Sequence, residues 1–199
     1  EDMQREAIKT AVSRGIMVLT GGPGTGKTTT LNAIIKILKS KDLNIALAAP
    51  TGRAAKRMSE LTGCEAKTIH RLLEVEWSDD ERHVFARNEK NPLSCDVLII
   101  DEMSMVDILL FESLLRAVRL GTRVIMVGDY DQLPSVGAGN VLADIINSHT
   151  VPTVALKKVF RQAMESLIVA NAHCIISGNE PDLNSKTSDF FMLQNLNPA

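Results

Sequence analysis

Several common signatures are missing from this 199-residue chain, and each absence removes a class of function. Cysteine is scarce: Cys64, Cys95 and Cys174 form an odd set without C-x-x-C spacing. That excludes a disulfide framework or a thiolate metal centre and reads as reduced, cytosolic thiols. The four histidines show no ligand spacing either. No apolar run approaches a membrane span and no signal peptide opens the chain, so a cytoplasmic protein without a membrane partner is expected. The chain opens on Glu1 with its first methionine at Met3, which points to an excised fragment. An excess of one charge is lacking too, with 22 Lys and Arg against 24 Asp and Glu. A formal net charge of −2 cannot hold nucleic acid globally, so any such site must be a local basic groove. Aromatics are few, and there is neither an internal repeat nor a low-complexity tract. The length suits one domain with a real core and room for a small insertion.

What is present is a complete G-x-x-x-x-G-K-T loop: Gly21, Gly22, Pro23, Gly24, Thr25, Gly26, Lys27 and Thr28, followed by Thr29. It follows the apolar run 16–19 and opens a helix-patterned stretch over 27–38, the strand–loop–helix context the motif requires. Glycines let successive amides curl inward, and the helix N-terminus adds its positive dipole end. Lys27 is expected on the β- and γ-phosphates, with the Thr28 hydroxyl helping to hold Mg²⁺. The chain therefore binds a nucleoside triphosphate.

Three more short apolar runs, 45–48, 97–100 and 124–127, read as buried parallel strands, with 151–156 a fifth. Helical patterns over 3–13, 27–38, 52–61, 106–118 and 139–146 alternate with them. This predicts a doubly wound α/β domain, a mainly parallel sheet flanked by helices, with ligands at the carboxyl ends of the strands. The segment 74–92 breaks the alternation. Val75, Glu76 and Trp77 face His83, Val84 and Phe85 across a polar turn, a hairpin that is either decorative or functional. The expected organisation is a main domain over 1–73 and 93–177, an insertion over 74–92, and an irregular tail over 178–199.

The run at 97–100 ends in two carboxylates. Asp101 is placed to bind Mg²⁺, and Glu102 to orient and deprotonate the attacking water. Alone, such a pair could be a helix cap; beside the phosphate loop it reads as hydrolytic. The run at 124–127 ends in Gly128, Asp129, Tyr130, Asp131 and Gln132. A glutamine there is either a turn residue before Leu133–Pro134 or a sensor of the γ-phosphate.

Six segments, in order, carry a resemblance: Gly-Gly-Pro-Gly-Thr-Gly-Lys-Thr-Thr-Thr (21–30), Ala-Pro-Thr-Gly-Arg-Ala-Ala (49–55), Thr-Ile-His-Arg-Leu-Leu (68–73), Asp-Glu-Met-Ser-Met-Val-Asp (101–107), Gly-Asp-Tyr-Asp-Gln-Leu-Pro-Ser-Val-Gly-Ala-Gly (128–139) and Val-Phe-Arg-Gln (159–162). Together they resemble the first motor domain of a RecD-like superfamily 1B DNA helicase, the family of the exodeoxyribonuclease V alpha subunit. Pif1 and conjugative-relaxase helicases share similar motifs, but the second and last segments favour the RecD-like branch. The resemblance implies a RecA-like P-loop NTPase domain with a β-hairpin insertion termed 1B, or pin. It also implies an ATP-dependent 5′–3′ helicase of DNA repair and recombination.

The resemblance also assigns residues. Gln4 matches a glutamine that recognises adenine, which implies ATP. Gln132 matches one that contacts the γ-phosphate and couples hydrolysis to DNA, and Arg161 an arginine that reaches the same phosphate. Pro50, Thr51, Gly52 and Arg53 match a segment on the single-stranded DNA backbone, Thr68 and His70 a second contact, and the loop from Ser135 to Asn140 a third. Over residues 53–71, five basic side chains (Arg53, Lys56, Arg57, Lys67, Arg71) oppose two acidic ones (Glu60, Glu65), which suits a local groove or an ordinary solvated face. Trp77 and Phe85 are either the packing core of the pin or exposed stacking groups.

No motif of a second motor domain follows Arg161, so hydrolysis by this piece is expected to be weak. A recombination or nuclease complex is a possible setting for the whole protein. Two rivals remain: a P-loop switch acting on a protein partner, which needs no basic groove, and a non-enzymatic scaffold that kept the fold.

Overall fold

The computed structural model describes residues 2–77, 83–160, 165–187 and 189–193. Its centre is a six-stranded parallel sheet in the order β3-β2-β6-β7-β1-β8. The strands are β1 (Ile16–Gly21), β2 (Ile45–Ala49), β3 (Ala66–Thr68), β6 (Val97–Ile100), β7 (Arg123–Gly128) and β8 (Thr153–Leu156). Successive side chains of a strand point to opposite faces, and here both faces are covered. Met17 and Leu19 of β1, Val97 and Ile99 of β6, and Ile125 and Val127 of β7 fill one core. Val18, Leu98, Ile100, Val124 and Met126 fill the other.

Helices α1 (Asp2–Ser13) and α2 (Lys27–Lys39) cover the first face. Helix α2 turns Leu31, Ile34, Ile35 and Leu38 inward at helical spacing. Helix α3 (Gly52–Thr62) adds Met58 to that core, and the short α4 (Ile69–Leu72) gives Ile69 to the other. Helix α5 (Ile108–Ala117) packs Phe111, Leu114 and Ala117 against the second face, beside α6 (Val141–Asn147). A helix α7 (Leu167–Ile176) follows β8.

The expected strands and helices are present, with differences at edges that have local causes. The helix expected from 106 starts at Ile108, because the Asp107 carboxylate caps it by accepting the Leu110 N–H at 2.9 Å. A 3₁₀ turn, Met103–Met105, fills the space before it. Strand β3 was not anticipated, being only Ala-Lys-Thr; it forms by pairing with β2 at the sheet edge. Helix α7 was not anticipated either, because its sequence is apolar all round and lacks an amphipathic stripe.

The predicted hairpin exists. Strands β4 (Val75–Trp77) and β5 (His83–Phe85) pair antiparallel with Val75 opposite Phe85. Its turn, 78–82, and the Trp77 side chain lie outside the described residues. Phe85 is half-buried against the second core and tilts over His70, with ring centroids 5.9 Å apart. Of the two roles open to Phe85, packing is the one observed. An Arg87–Glu74 ion pair at 2.8 Å ties down the base of the hairpin.

Among the described residues beyond 178 there is no helix or strand. This segment is nevertheless held against α7. The buried Asn171 amide exchanges two 2.8 Å hydrogen bonds with the Asp182 backbone, and Ser166 donates to Asp189 at 2.6 Å. Among the described residues no helix is long and apolar enough to cross a membrane.

Candidate active site

The carboxyl ends of β1, β6 and β7 open into a cleft of about 920 Å³. Residues 22–29 line its floor, Asp101 and Glu102 enter from β6, and Asp129 and Gln132 from β7. Gln4 reaches it from α1. Every residue expected to bind nucleotide or metal, or to act in hydrolysis, therefore meets in one place, except Arg161, which lies outside the described residues.

Local bonds shape the loop. The buried Thr25 hydroxyl donates to the Gly22 carbonyl at 2.8 Å, and Thr30 donates to the Gly26 carbonyl at 2.9 Å. Lys27 Nζ donates to the carbonyls of Gly21 and Gly22. Gly26 has a φ of 85°, and a Cβ there would stand 2.6 Å from Phe160 and 2.8 Å from Gln4 Nε2. Only glycine fits both the left-handed backbone and the close approach.

The acidic pair is set by its backbone. Glu102 has a φ of 54°, left-handed for a residue with a side chain, a strain of about 1–3 kcal/mol of the kind found at functional sites. Its N–H donates to Asp101 Oδ1 at 2.9 Å. Burial pushes the Asp101 carboxyl above its ordinary range, opposed by that N–H and then by Lys27 and Arg57. Burial also raises Glu102, assisted by the neighbouring Asp101 charge and opposed by Lys27 and Arg57. A carboxylate held high is a stronger proton acceptor than a solvated one.

Gln132 is oriented from two sides. The buried Ser104 hydroxyl donates to its Oε1 at 3.3 Å, and its Nε2 donates to the buried Asp129 carboxylate at 3.4 Å. A glutamine before Leu133–Pro134 is thus more than a turn residue, because its amide joins the β6 and β7 loops.

Other residues of the cleft went unassigned in the sequence. Arg57, Met58 and Leu61 of α3 form one wall, and Phe160 and Val169 another. Among the basic residues of α3, it is Arg57 and not Arg53 that lines the cleft, and no local pattern separates the two. Phe160 is the neighbour of Arg161 in Val-Phe-Arg-Gln, and its N–H donates to the Gly24 carbonyl at 3.1 Å.

The residues assigned to DNA follow the carboxyl ends of three strands, β2, β3 and β7. Register pairs Ala49 with Thr68, so the segments after β2 and β3 emerge side by side. Pro50 and Thr51 are half-buried while Gly52 and Arg53 are exposed. Thr51 Oγ1 accepts the Ala54 N–H and Thr68 Oγ1 the Arg71 N–H, each at 3.2 Å. Both hydroxyls therefore cap helices and keep an O–H to donate. His70 is exposed beside Phe85. Ser135 donates to the Gly137 and Gly139 carbonyls at 3.1 and 3.2 Å and shapes the third loop. Asn140 precedes α6 without a side-chain cap bond.

The hard oxygens of Asp101 and Thr28 share the cleft, and among the described residues no group of three His, Cys, Asp or Glu could hold a metal by itself. That donor set fits Mg²⁺, which takes one or two protein oxygens and completes its shell with phosphate and water.

A parallel sheet with a phosphate loop after β1 and an acidic pair after β6 defines a P-loop nucleotide-binding domain. The AAA-domain family model matches residues 4–138, and the chain belongs to that family. It is 42 % identical over 183 residues to the ATP-dependent RecD2 DNA helicase of Deinococcus radiodurans, covering 92 % of this chain and 25 % of that protein. It is 42 % identical over 187 residues to the RecBCD enzyme subunit RecD of Mycolicibacterium smegmatis, covering 82 % and 33 %. The crystal structure of Pif1 helicase from Candida albicans matches with a TM-score of 0.64 and 28 % identity, covering 92 % of this chain and 45 % of that one. The RecD-like resemblance and the RecA-like fold both hold. The chain spans a quarter of the first of these two relatives and a third of the second.

Proposed function

We propose that this chain is the ATP-binding first motor domain of a RecD-like 5′–3′ DNA helicase acting in repair and recombination. The observation that carries the reading is that the phosphate loop, the acidic pair and Gln132 converge in one cleft. The three segments assigned to DNA likewise follow the carboxyl ends of strands, β2, β3 and β7. Residues 1–73 and 93–177 then make up motor domain 1A, 74–92 the pin, and 178–199 the path towards a second motor domain.

In this reading the loop amides and Lys27 cradle the triphosphate of ATP, and Gln4 reads adenine beside Phe160. Thr28 and Asp101 would hold Mg²⁺, which would supply positive charge against the phosphates. Glu102, its carboxyl raised by burial, takes the proton of the attacking water. Gln132 and Arg161 contact the γ-phosphate, and Arg161 offsets charge in the transition state as an arginine finger does. Ser104 and Asp129 hold the Gln132 amide, and the loop at 135–140 begins three residues further along the chain. Pro50, Thr51, Gly52, Arg53, Thr68, His70, Ser135 and Asn140 hold the backbone of single-stranded DNA. The name of the RecBCD relative supports a place within a multi-subunit complex as one setting.

The test is strand displacement by the full-length protein on duplexes carrying a 5′ or a 3′ single-stranded tail. ATP-dependent unwinding from the 5′ tail, abolished in Lys27→Ala, is expected. Failure to unwind either substrate would count against the helicase reading.

A further inference from the structure

Helix α7 belongs to none of the motifs and lies beyond the residues that the family model matches, yet it supplies two side chains to the phosphate loop. Val169 lines the cleft. One turn on, the half-buried His173 places Nε2 3.1 Å from the carbonyl oxygen of Pro23, 150 residues away in sequence. Its ring also packs on the loop, with Cε1 3.2 Å from where a Cβ on Gly22 would stand. A carbonyl oxygen only accepts, so Nε2 carries the proton and donates.

Consecutive carbonyls of the loop are all anchored. Gly21 accepts from Lys27, Gly22 from Lys27 and Thr25, Pro23 from His173, and Gly24 from the Phe160 N–H. These anchors differ in what nucleotide does to them. In the ATP-binding reading, Lys27 turns to the phosphates and leaves the Gly21 carbonyl, while the Gly22 carbonyl keeps its bond from Thr25. The bonds from Phe160 and His173 approach from the segment after β8 and do not compete with phosphate.

We propose that His173 is a positioning residue for the phosphate loop, presetting the Pro23–Gly24 peptide so that the loop receives the triphosphate without rearranging. The peptide is planar, and no cis bond occurs among the described residues, so fixing the Pro23 carbonyl on one side fixes the Gly24 N–H on the other. Glycines at 24 and 26, with φ of 73° and 85°, leave the loop little stiffness of its own. The rigidity comes from α7, which Asn171 and Ser166 tie to the segment at 182–189. Displacement of α7 therefore loosens the nucleotide site directly. This inference rests on the ATP-binding reading above.

The experiment compares His173→Ala, His173→Gln and the unmodified full-length protein for binding of a fluorescent ATP analogue with Mg²⁺, ATPase kinetics and thermal melting. The Gln amide nitrogen reaches about as far as Nε2 and can donate. Loss of one preorganising hydrogen bond predicts a KM for ATP raised about 3- to 10-fold in His173→Ala, with kcat changed less than about 2-fold. His173→Gln is expected within about 2-fold of the unmodified KM. Unchanged KM and analogue affinity in His173→Ala, in a protein that binds ATP, overturn the inference alone. Equal loss in both variants with lowered melting also overturns it, since that marks a packing role. Absence of ATP binding by the unmodified protein removes the nucleotide reading, and this inference with it.

Discussion

The Glu102 N–H donates to Asp101 Oδ1 at 2.9 Å across a backbone turned into the left-handed region. One bond thus holds two adjacent carboxylates in one cleft with different surroundings. Burial raises both carboxyls; the hydrogen bond opposes the rise at Asp101, and the Asp101 charge adds to it at Glu102. In the proposed reading, this contact suits Asp101 to holding the metal and leaves Glu102 to act as the base.

Glu102→Gln removes the base but keeps the shape. Hydrolysis by the full-length protein is expected to fall about 100-fold or more, while ATP affinity changes little. Single-turnover hydrolysis measured beside nucleotide binding separates the two effects.

The same substitution carries a stability signature. Both carboxyls are raised in the fold, so their favourable contribution is complete below the ordinary carboxylate range and is lost as pH rises through the raised values. Glu102→Gln should therefore raise Tm at neutral pH, with the gain shrinking as pH falls. Thermal melts of this chain across pH check it; a gain that grows in acid contradicts the sign.

Hydrolysis has a matching pH dependence. A base held above its ordinary range is protonated earlier on acidification, so the acid limb of kcat/KM in the full-length protein should lie above that of a solvated glutamate. The measurement is a pH–rate profile at saturating Mg²⁺.

Ser104 and Gln132 should act together. Ser104→Ala leaves the Gln132 amide held only by Asp129, and stimulation of ATPase by single-stranded DNA is expected to drop about 2- to 5-fold at nearly unchanged ATP affinity. Gln132→Ala should lose more, and adding Ser104→Ala to it should cost little further.

Arg53→Ala tests the track after β2. Its exposed guanidinium is expected to neutralise one phosphate, so the variant should bind single-stranded DNA more weakly across all sequences. The slope of log affinity against log salt should fall by about 0.7. Equilibrium binding at several salt concentrations reads both.

How far these features could be read from the sequence varied with their cause. The strands at 16–19, 97–100 and 124–127 were plain because burial on both faces demands unbroken apolar runs. The loop and the acidic pair were plain because phosphate chemistry fixes residue type and spacing. Gln132 could be assigned only through the family, since its meaning comes from Ser104, 28 residues away. Arg57, Phe160 and His173 escaped for the same reason: each reaches the cleft through tertiary packing, and no local pattern records where a helix docks. Strand β3 escaped because edge pairing can recruit a stretch of only three residues, two of which, Ala66 and Lys67, are poor strand formers.

The central claim is that this nucleotide cleft is wired to a DNA track. ATP hydrolysis by the full-length protein, measured with and without single-stranded DNA, tests it most directly. The account predicts clear stimulation by the strand, lost in Gln132→Ala with ATP binding preserved. An equal rate with and without DNA would contradict it.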